Sequence, residues 1–519
     1  YAPMRKSDFT GSIASVKSDE LQKSTATVGQ ALVGRVAGVE IRQSNGAPGA
    51  GVNIRVRGVN SLTASTSPLY VVDGYPVADD DFINPNDIES IDILKDAAAT
   101  AVWGSRGANG VISIKTKRGA RGKIRINYSY SIQANWQPKG YNLLSGDDYT
   151  MLMKEELYNP NQGATATTNI NELNYKKSWA EYNNWNDNTD WAKEVKKTGF
   201  NQSHYLTLSG GGEKASFRVS VGYDHQTGTI IKQTLDRFST RLILDYWVSD
   251  RIKFSTTFPL TYTNNQKNYD GDILGRALRM APNMSVYRED ANGNDTNEFY
   301  IMLPSGNSNN AGYSSEALKD VRSVGNPVAI ANLAWSNEKT YRLNPEFKID
   351  YNLLGTDDDH TRLDYMGLVY MDVYSNSSPT YWPGSLSTEP WSDGNYNKST
   401  LYDKNSLSFT TRHRLTFTPH FKNEDWYLTM MGQWEMTSGS DYNQKVSAFK
   451  LPLGVTSPTV QSDISEMSTG NGEWRSMSAL YSTHLSWKSR YMFDFTLRAD
   501  GTTKFGSKNK WGFFPAVSG

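Results

Sequence analysis

The sequence predicts an antiparallel transmembrane β-barrel carrying a compact α+β domain at its N-terminal end, and three observations carry the prediction. Strands of period two recur from residue 123 onward, their charges sit on the opposite parity from their apolar residues, and short and long connections alternate strictly.

The composition sets the bounds. A chain of 519 residues exceeds what one core usually serves, so at least two folding units are expected. Lys plus Arg equals Asp plus Glu at 54 each, which leaves no basic footprint for nucleic acid and none for a polybasic membrane-surface binder. Without Cys there is no disulfide framework, thiolate metal site or Cys nucleophile. The 30 Tyr and 14 Trp are amphipathic aromatics of the kind favoured at membrane interfaces and ligand surfaces. No apolar run approaches the roughly 20 residues of a membrane-spanning helix. Barrel strands escape that test, because half of each strand faces a polar lumen and dilutes its hydropathy.

Residues 8–119 read as the α+β unit, behind a segment 1–7. A short helix suits 28–36, strands suit 39–42 and 52–57, and 69–73 leads into a turn at Gly74. A second helix is expected near 93–102. Gly104, Gly107 and Gly110 then loosen the backbone before a strand at 111–114.

Residues 120–519 form the barrel part. In Ile124, Ile126, Tyr128, Tyr130 and Ile132 the apolar members take even positions, with Arg125, Asn127, Ser129 and Ser131 between them. The pattern recurs in about eleven strands, with a twelfth beginning near Trp511. On a lipid-facing surface an Arg or Lys at mid-depth costs roughly 2–4 kcal/mol. Arg218, Arg241, Asp245, Arg412, Glu435 and Arg498 all avoid that surface by parity, and His413 alone breaks the rule. Tight turns near 210–214, 249–250, 355–360, 422–425 and 488–489 alternate with long connections near 134–202, 265–339, 376–405 and 439–473 and shorter ones near 225–235 and 501–510. Outer-membrane barrels sort their connections this way and soluble sandwiches do not. The last strand begins so close to residue 519 that the sequence reads as a fragment of a larger barrel.

Catalytic and cofactor chemistry find little support. The six His residues, at 204, 225, 360, 413, 420 and 484, show no metal-binding spacing, and no catalytic or metal residue is assigned. Gly46, Gly49 and Gly51 lack the rest of a dinucleotide fingerprint and no phosphate-binding loop occurs, so no cofactor is expected. Asp290, Asn292 and Asn294 mimic the start of a Ca²⁺ loop, but Asp295 replaces its Gly and Ile301 its bidentate Glu. Two aromatic groups stand in the long connections: Tyr381, Trp382 and Trp391 beside Asp393 and Asn395, and Trp179, Trp185 and Trp191. Flat aromatic faces beside acids and amides suit carbohydrate, and loop packing is the alternative for any single Trp.

Several segments carry a family resemblance. VGQALVGRVAGVEI at 28–41, VNIRVRGVNSL at 52–62, PLYVVDGYPV at 68–77 and the stretch 84–119, with WGSRGANGVISIKTKRG at its end, resemble the plug of SusC/RagA-type TonB-dependent transporters, best represented in Bacteroidetes. LRADGTTKFGSKNKWGFFPAVSG at 497–519 is similar to a mid-barrel signature of that family, and Trp103 stands where another aromatic is usual.

The resemblance implies an α+β plug inside a barrel of 22 strands in bacterial outer-membrane lipid, half of them in this chain. It implies active import of an oligosaccharide, or alternatively an oligopeptide, with a signalling receptor as a further reading. The implied partners are a SusD-like surface lipoprotein and TonB driven by ExbB and ExbD, in a dimer of transporter–lipoprotein pairs. It also implies that the plug loops reach the ligand chamber. Ser44 and Asn45 in one loop, and Asp79, Asp80, Asp81 and Phe82 in another, are thereby candidate substrate contacts, together with Tyr381, Trp382, Trp391 and Asp393.

Overall fold

A computed structural model describes residues 13–21, 27–36, 38–43, 45–56, 66–77, 83–95, 100–158, 170–174, 177–269, 271–302, 318–357, 359–387, 393, 396–423, 425–459, 462–488, 490–504 and 510–518. The N-terminal domain is built on a five-stranded sheet of β1 (Ile13–Lys17), β4 (Leu69–Val72), β5 (Tyr75–Val77), β6 (Ile88–Leu94) and β7 (Val111–Thr116), in the order β1-β6-β7-β4-β5. Only β4 and β7 run parallel. A hairpin of β2 (Glu40–Gln43) and β3 (Val52–Arg55) and the helix Val28–Ala31, capped by the Thr27 hydroxyl, complete it.

One expectation fails here. The helix anticipated near 93–102 is not formed at its start, because Ile93 lies in β6. The β-branched Ile91 and Ile93 point to one face at period two and are fully buried against Ile112 and Ile114, so sheet pairing overrides the local pattern. Residues 101–107 form a 3₁₀ segment broken at Gly104, whose φ of 57° belongs to the left-handed region. A Cβ on Gly104 would stand 2.1 Å from the Asp500 carboxylate in the wall, so this position serves a close approach as well as a turn.

The wall is one antiparallel sheet. Its early strands are β8 (Gly122–Asn135), β9 (Gly199–Gly211), β10 (Ala215–Thr227), β11 (Thr234–Trp247) and β12 (Ile252–Lys267). After a small hairpin of β13 (Tyr287–Glu289) and β14 (Asp295–Phe299) come β15 (Trp335–Leu343), β16 (Glu346–Leu354), β17 (Arg362–Ser377) and β18 (Thr380–Trp382). The last five are β19 (Lys398–Thr418), β20 (Trp426–Phe449), β21 (Asp463–Trp487), β22 (Tyr491–Thr502) and β23 (Trp511–Ser518). Strands β15 and β16 both pair with β12 and are two halves of one span, interrupted at Pro345, which has no N–H for the ladder. Strands β17 and β18 are likewise collinear around Pro379. The fourteen strands of the sheet therefore make twelve spans among the described residues.

The parity reading describes the two faces well. Ile124, Ile126, Leu206, Leu242, Leu415, Trp434 and Phe493 are exposed on the outer face, whereas Arg241, Asp245, Arg412, Glu435 and Arg498 are buried inside. His413 does face outward, packed between Tyr365 and Trp434 with its Nδ1 2.8 Å from the Tyr365 hydroxyl, which satisfies the ring in an aromatic belt. Strands β19, β20 and β21 run 21, 24 and 25 residues, so the loops after them begin later than expected. At about 3.4 Å per residue such strands outreach a ~25 Å apolar band, and their alternation simply continues with polar residues above it.

Candidate functional site

The domain is clamped to the wall by the inward charges. Asp73, held at φ 49° after β4, accepts from the Thr116 hydroxyl at 2.6 Å and from the Arg241 guanidinium of β11 at 2.9 Å. Asp87 accepts from the hydroxyls of Tyr205 and Ser220 on β9 and β10, at 2.5 and 3.0 Å. Glu435 of β20 holds Arg412 of β19 at 2.6 Å and domain residue Arg106 at 3.4 Å, while Arg412 donates to the Gly74 carbonyl. Arg498 of β22 donates to the Val102 carbonyl at 2.7 Å. Between these polar clamps lies an apolar one. Met366, Leu368 and Tyr370 turn inward from β17 into the domain's core, and Tyr370 stacks on Tyr75 with ring centroids 3.4 Å apart.

A second layer covers the long-loop end. Helices Gly146–Tyr158, Trp191–Val195, Ile273–Arg279 and Pro327–Leu333 share a core with Trp179, Trp185, Trp191 and Tyr300. The indole of Trp185 donates to the Tyr300 hydroxyl at 2.9 Å and that of Trp191 to the Ala281 carbonyl at 2.8 Å. This Trp group is therefore packing, not a ligand platform. The same burial turns the long connections into a folded layer rather than free loops. Asp290 is the turn of the β13–β14 hairpin, its carboxylate accepting from the N–H groups of Asn292 and Asn294, and no cluster of three or more metal-ligating side chains occurs among the described residues.

Three clefts open in this layer and beneath it. One, of about 390 Å³, lies where the domain loop 46–48 meets the upper ends of β8, β9 and β10. Gln30, Gln133, Asn135, Asn201 and Gln226 line it with Trp136 at its lip, and none of its lining side chains is charged. The domain loop is fixed there by Gly49, at φ 65°, where a Cβ would stand 2.4 Å from Leu235 of β11. A second cleft, of about 370 Å³, is lined by Trp382, Tyr269, Arg276, Arg322 and Lys398. The third, of about 1050 Å³, runs along residues 136–145 of the first long connection.

Asn45 is exposed beside the first cleft and its side-chain oxygen caps the Ala47 N–H at 3.1 Å. Trp382 lines the second cleft against Tyr269 at 5.1 Å, and Tyr381 donates to Asn397 at 2.7 Å. Asp393 is half-buried, with its carbonyl bonded by the Tyr396 N–H. Ser44, Asp79, Asp80, Asp81, Phe82 and Trp391 lie outside the described residues. No described cleft is lined by both Asn45 and Trp382. The amides on the inward parity of β8 to β10 were missed, although that same parity marks them in the sequence.

One loop carboxylate has an unusual environment. Burial first, then Asp187, Asp295 and Asp290, push Glu289 from 4.5 up to about 7. The folded hairpin thus keeps a proton that the unfolded chain releases, so its stability falls as pH rises from 4.5 through about 7. Hydrogen exchange across Tyr287–Phe299 should quicken over that window in the parent protein and stay level in Glu289→Gln; equal profiles for the two proteins would exclude this coupling.

Comparison with known proteins bears on the same architecture. Residues 5–111 match the TonB-dependent Receptor Plug Domain family. The TonB-dependent receptor SusC of Bacteroides thetaiotaomicron is 27% identical over 100% of this chain and 50% of its own length. The TonB-dependent receptor P3 of Formosa agariphila is 29% identical over 99% of this chain and 47% of its own. Along its whole length the chain is similar to TonB-dependent receptors of the SusC/RagA type. Its α+β domain is the plug and its sheet is outer-membrane barrel wall. Among solved structures, the RagAB peptide importer in its open-open state superposes at a TM-score of 0.77 with 22% identity, covering 99% of this chain and 57% of that one. The ferric citrate transporter FecA gives 0.52 at 11% identity, covering 98% and 59%. The relatives are named as receptors or transporters, not enzymes. The chain spans about half the length of the curated relatives it matches.

Proposed function

We propose that this chain belongs to an importer that moves an oligosaccharide across the outer membrane with energy from TonB. The observation that carries the reading is the uncharged, amide-lined cleft where plug loop 46–48 meets the inward faces of β8, β9 and β10. Neutral amides pair with sugar hydroxyls as donors and acceptors at once, and Trp136 at the lip offers a face for stacking. A ligand held there touches plug and wall together, so its arrival is felt by the element that must move. Passive diffusion is a poor alternative, since charged clamps on several wall strands hold the plug in the lumen.

A SusD-like lipoprotein covering the loop layer, TonB with ExbB and ExbD on the periplasmic side, and a dimer of such pairs complete the proposal. Ser44, Asn45, the acidic loop Asp79–Asp81 with Phe82, and Tyr381, Trp382, Trp391 and Asp393 remain its candidate contacts. The second reading, oligopeptide import, is favoured by one observation: the structure that superposes at 0.77 is that of a peptide importer. The test is uptake by cells carrying the full-length protein and its lipoprotein, with labelled neutral oligosaccharides and peptides, with and without TonB. Sugar uptake that vanishes without TonB is the expected result. Uptake unchanged without TonB would overturn active import, and uptake of peptides alone would replace the substrate class.

A further inference from the structure

The largest described cleft has a chemistry that the import reading does not use. It lies between residues 136–145 and the helices Trp191–Val195 and Ile273–Arg279, with a volume of about 1050 Å³. Five cations line it: Lys139, Lys193, Lys196, Lys197 and Arg279. Arg279 pairs with Asp272 at 3.3 Å, but no described carboxylate lies within ion-pair distance of the four lysines. The one acid in the lining, Asp190, is spent as the cap of the short helix, where it accepts from the Lys193 N–H at 3.1 Å. Lys196 lies close against Gly140, whose added Cβ would be 3.4 Å from the ammonium, so the backbone leaves room for this cation.

Such clustering is not a consequence of composition, because the whole chain carries 54 cations and 54 anions. Four unpaired ammonium groups around one concavity repel each other, and a bound anion relieves that repulsion. The neighbouring cleft also gathers cations, with Arg276, Arg322 and Lys398 in its lining and no carboxylate there. Both clefts also present aromatics. Trp136 and Tyr141 line the cleft along residues 136–145, and Trp382 lines its neighbour. Flat faces beside fixed positive charge suit a sugar ring that carries acidic groups better than they suit an extended peptide, whose backbone would ask for donors and acceptors in register.

We propose that the cleft along residues 136–145 binds an anionic oligosaccharide, its carboxylate or sulfate groups held by Lys139, Lys193, Lys196 and Lys197. The inference rests on the import reading for its place in the molecule and narrows the substrate to acidic glycans. The acidic groups would be met in the outer layer, while neutral hydroxyls further along the chain of sugars meet the amides beside the plug.

The experiment is calorimetric titration of the full-length transporter with its lipoprotein. The probes are tetragalacturonate, a sulfated carrageenan tetrasaccharide, fully methyl-esterified tetragalacturonate and a tetraglutamate peptide. At least one anionic sugar should bind about tenfold or more tightly than the neutral ester, and its affinity should fall with added salt. The triple variant Lys193→Gln, Lys196→Gln, Lys197→Gln should lose about tenfold for that sugar while its melting temperature stays with the parent's. The first two probes distinguish carboxylate from sulfate. The proposal is overturned if neither anionic sugar binds, if the ester binds as well, if the triple variant binds as the parent does, or if only the peptide binds. TonB dependence of uptake, measured on the same variant, separates the two readings: import that still needs TonB but ignores the lysines removes the cleft and leaves the importer.

Discussion

Glu435→Ala lowers the stability of the plugged barrel by about 3–5 kcal/mol, because it strands the Arg412 guanidinium among groups that were arranged around a carboxylate. The Arg412 and Glu435 side chains are 8% and 6% exposed, so neither has water to fall back on. Arg106 of the plug is 43% exposed and rehydrates at little cost, which makes Arg412 the group that sets the penalty. Thermal unfolding of the full-length protein in detergent measures it. The double variant Arg412→Met, Glu435→Leu should sit closer to the parent than the single one, since removing both charges removes the uncompensated one. A single variant within about 1 kcal/mol of the parent would mean that the clamp is hydrated and weak.

Tyr75→Ala should cost a comparable amount, about 3–5 kcal/mol, through a different mechanism. Tyr75 and Tyr370 are 6% and 5% exposed and stacked, where the plug core runs into the wall through Met366 and Leu368. The substitution leaves a cavity at the apolar seam where Met366, Leu368 and Tyr370 enter the plug core. Tyr75→Phe keeps the ring and loses the 2.6 Å bond to the Thr410 hydroxyl, for about 1 kcal/mol. Limited proteolysis should then cut the plug of the Ala variant faster than that of the Phe variant. Equal cleavage rates in both would show that the stack does not hold the plug.

These two clamps illustrate how far the sequence can be read. The parity of Arg412, Glu435, Arg241 and Arg498 by itself places them inside the wall, because a lipid-facing charge is too costly to be tolerated. Their partners on the plug were not legible. Arg412 meets the Gly74 carbonyl and Arg241 meets Asp73 across separations of well over a hundred residues, and no local pattern encodes such a meeting. Met366, Leu368 and Tyr370 go further and face the plug on the parity where polar side chains were expected, since an apolar patch on the plug makes that burial favourable.

The loops were legible in kind only. Their aromatics announced burial or binding, but Trp185 and Trp191 turned out to pack a folded layer, while Trp136 and Tyr141 stand open beside lysines. The run WAKEVKK at 191–197 contains three of those four lysines and was the available signal. It reads as an ordinary solvated helix end until residues 136–145 are brought against it.

The sequence by itself determined that the chain makes a lipid-facing wall with its charges turned inward and a separate α+β domain ahead of it. Those features are periodic and local, and the penalty for placing charge in hydrocarbon enforces them strand by strand. Only the tertiary structure decided which inward charges hold the plug, which aromatics are core, and where unpaired cations gather around a cleft. Those outcomes depend on which distant surfaces meet, and the energy of a buried pair or an open lysine cluster exists only once they have met.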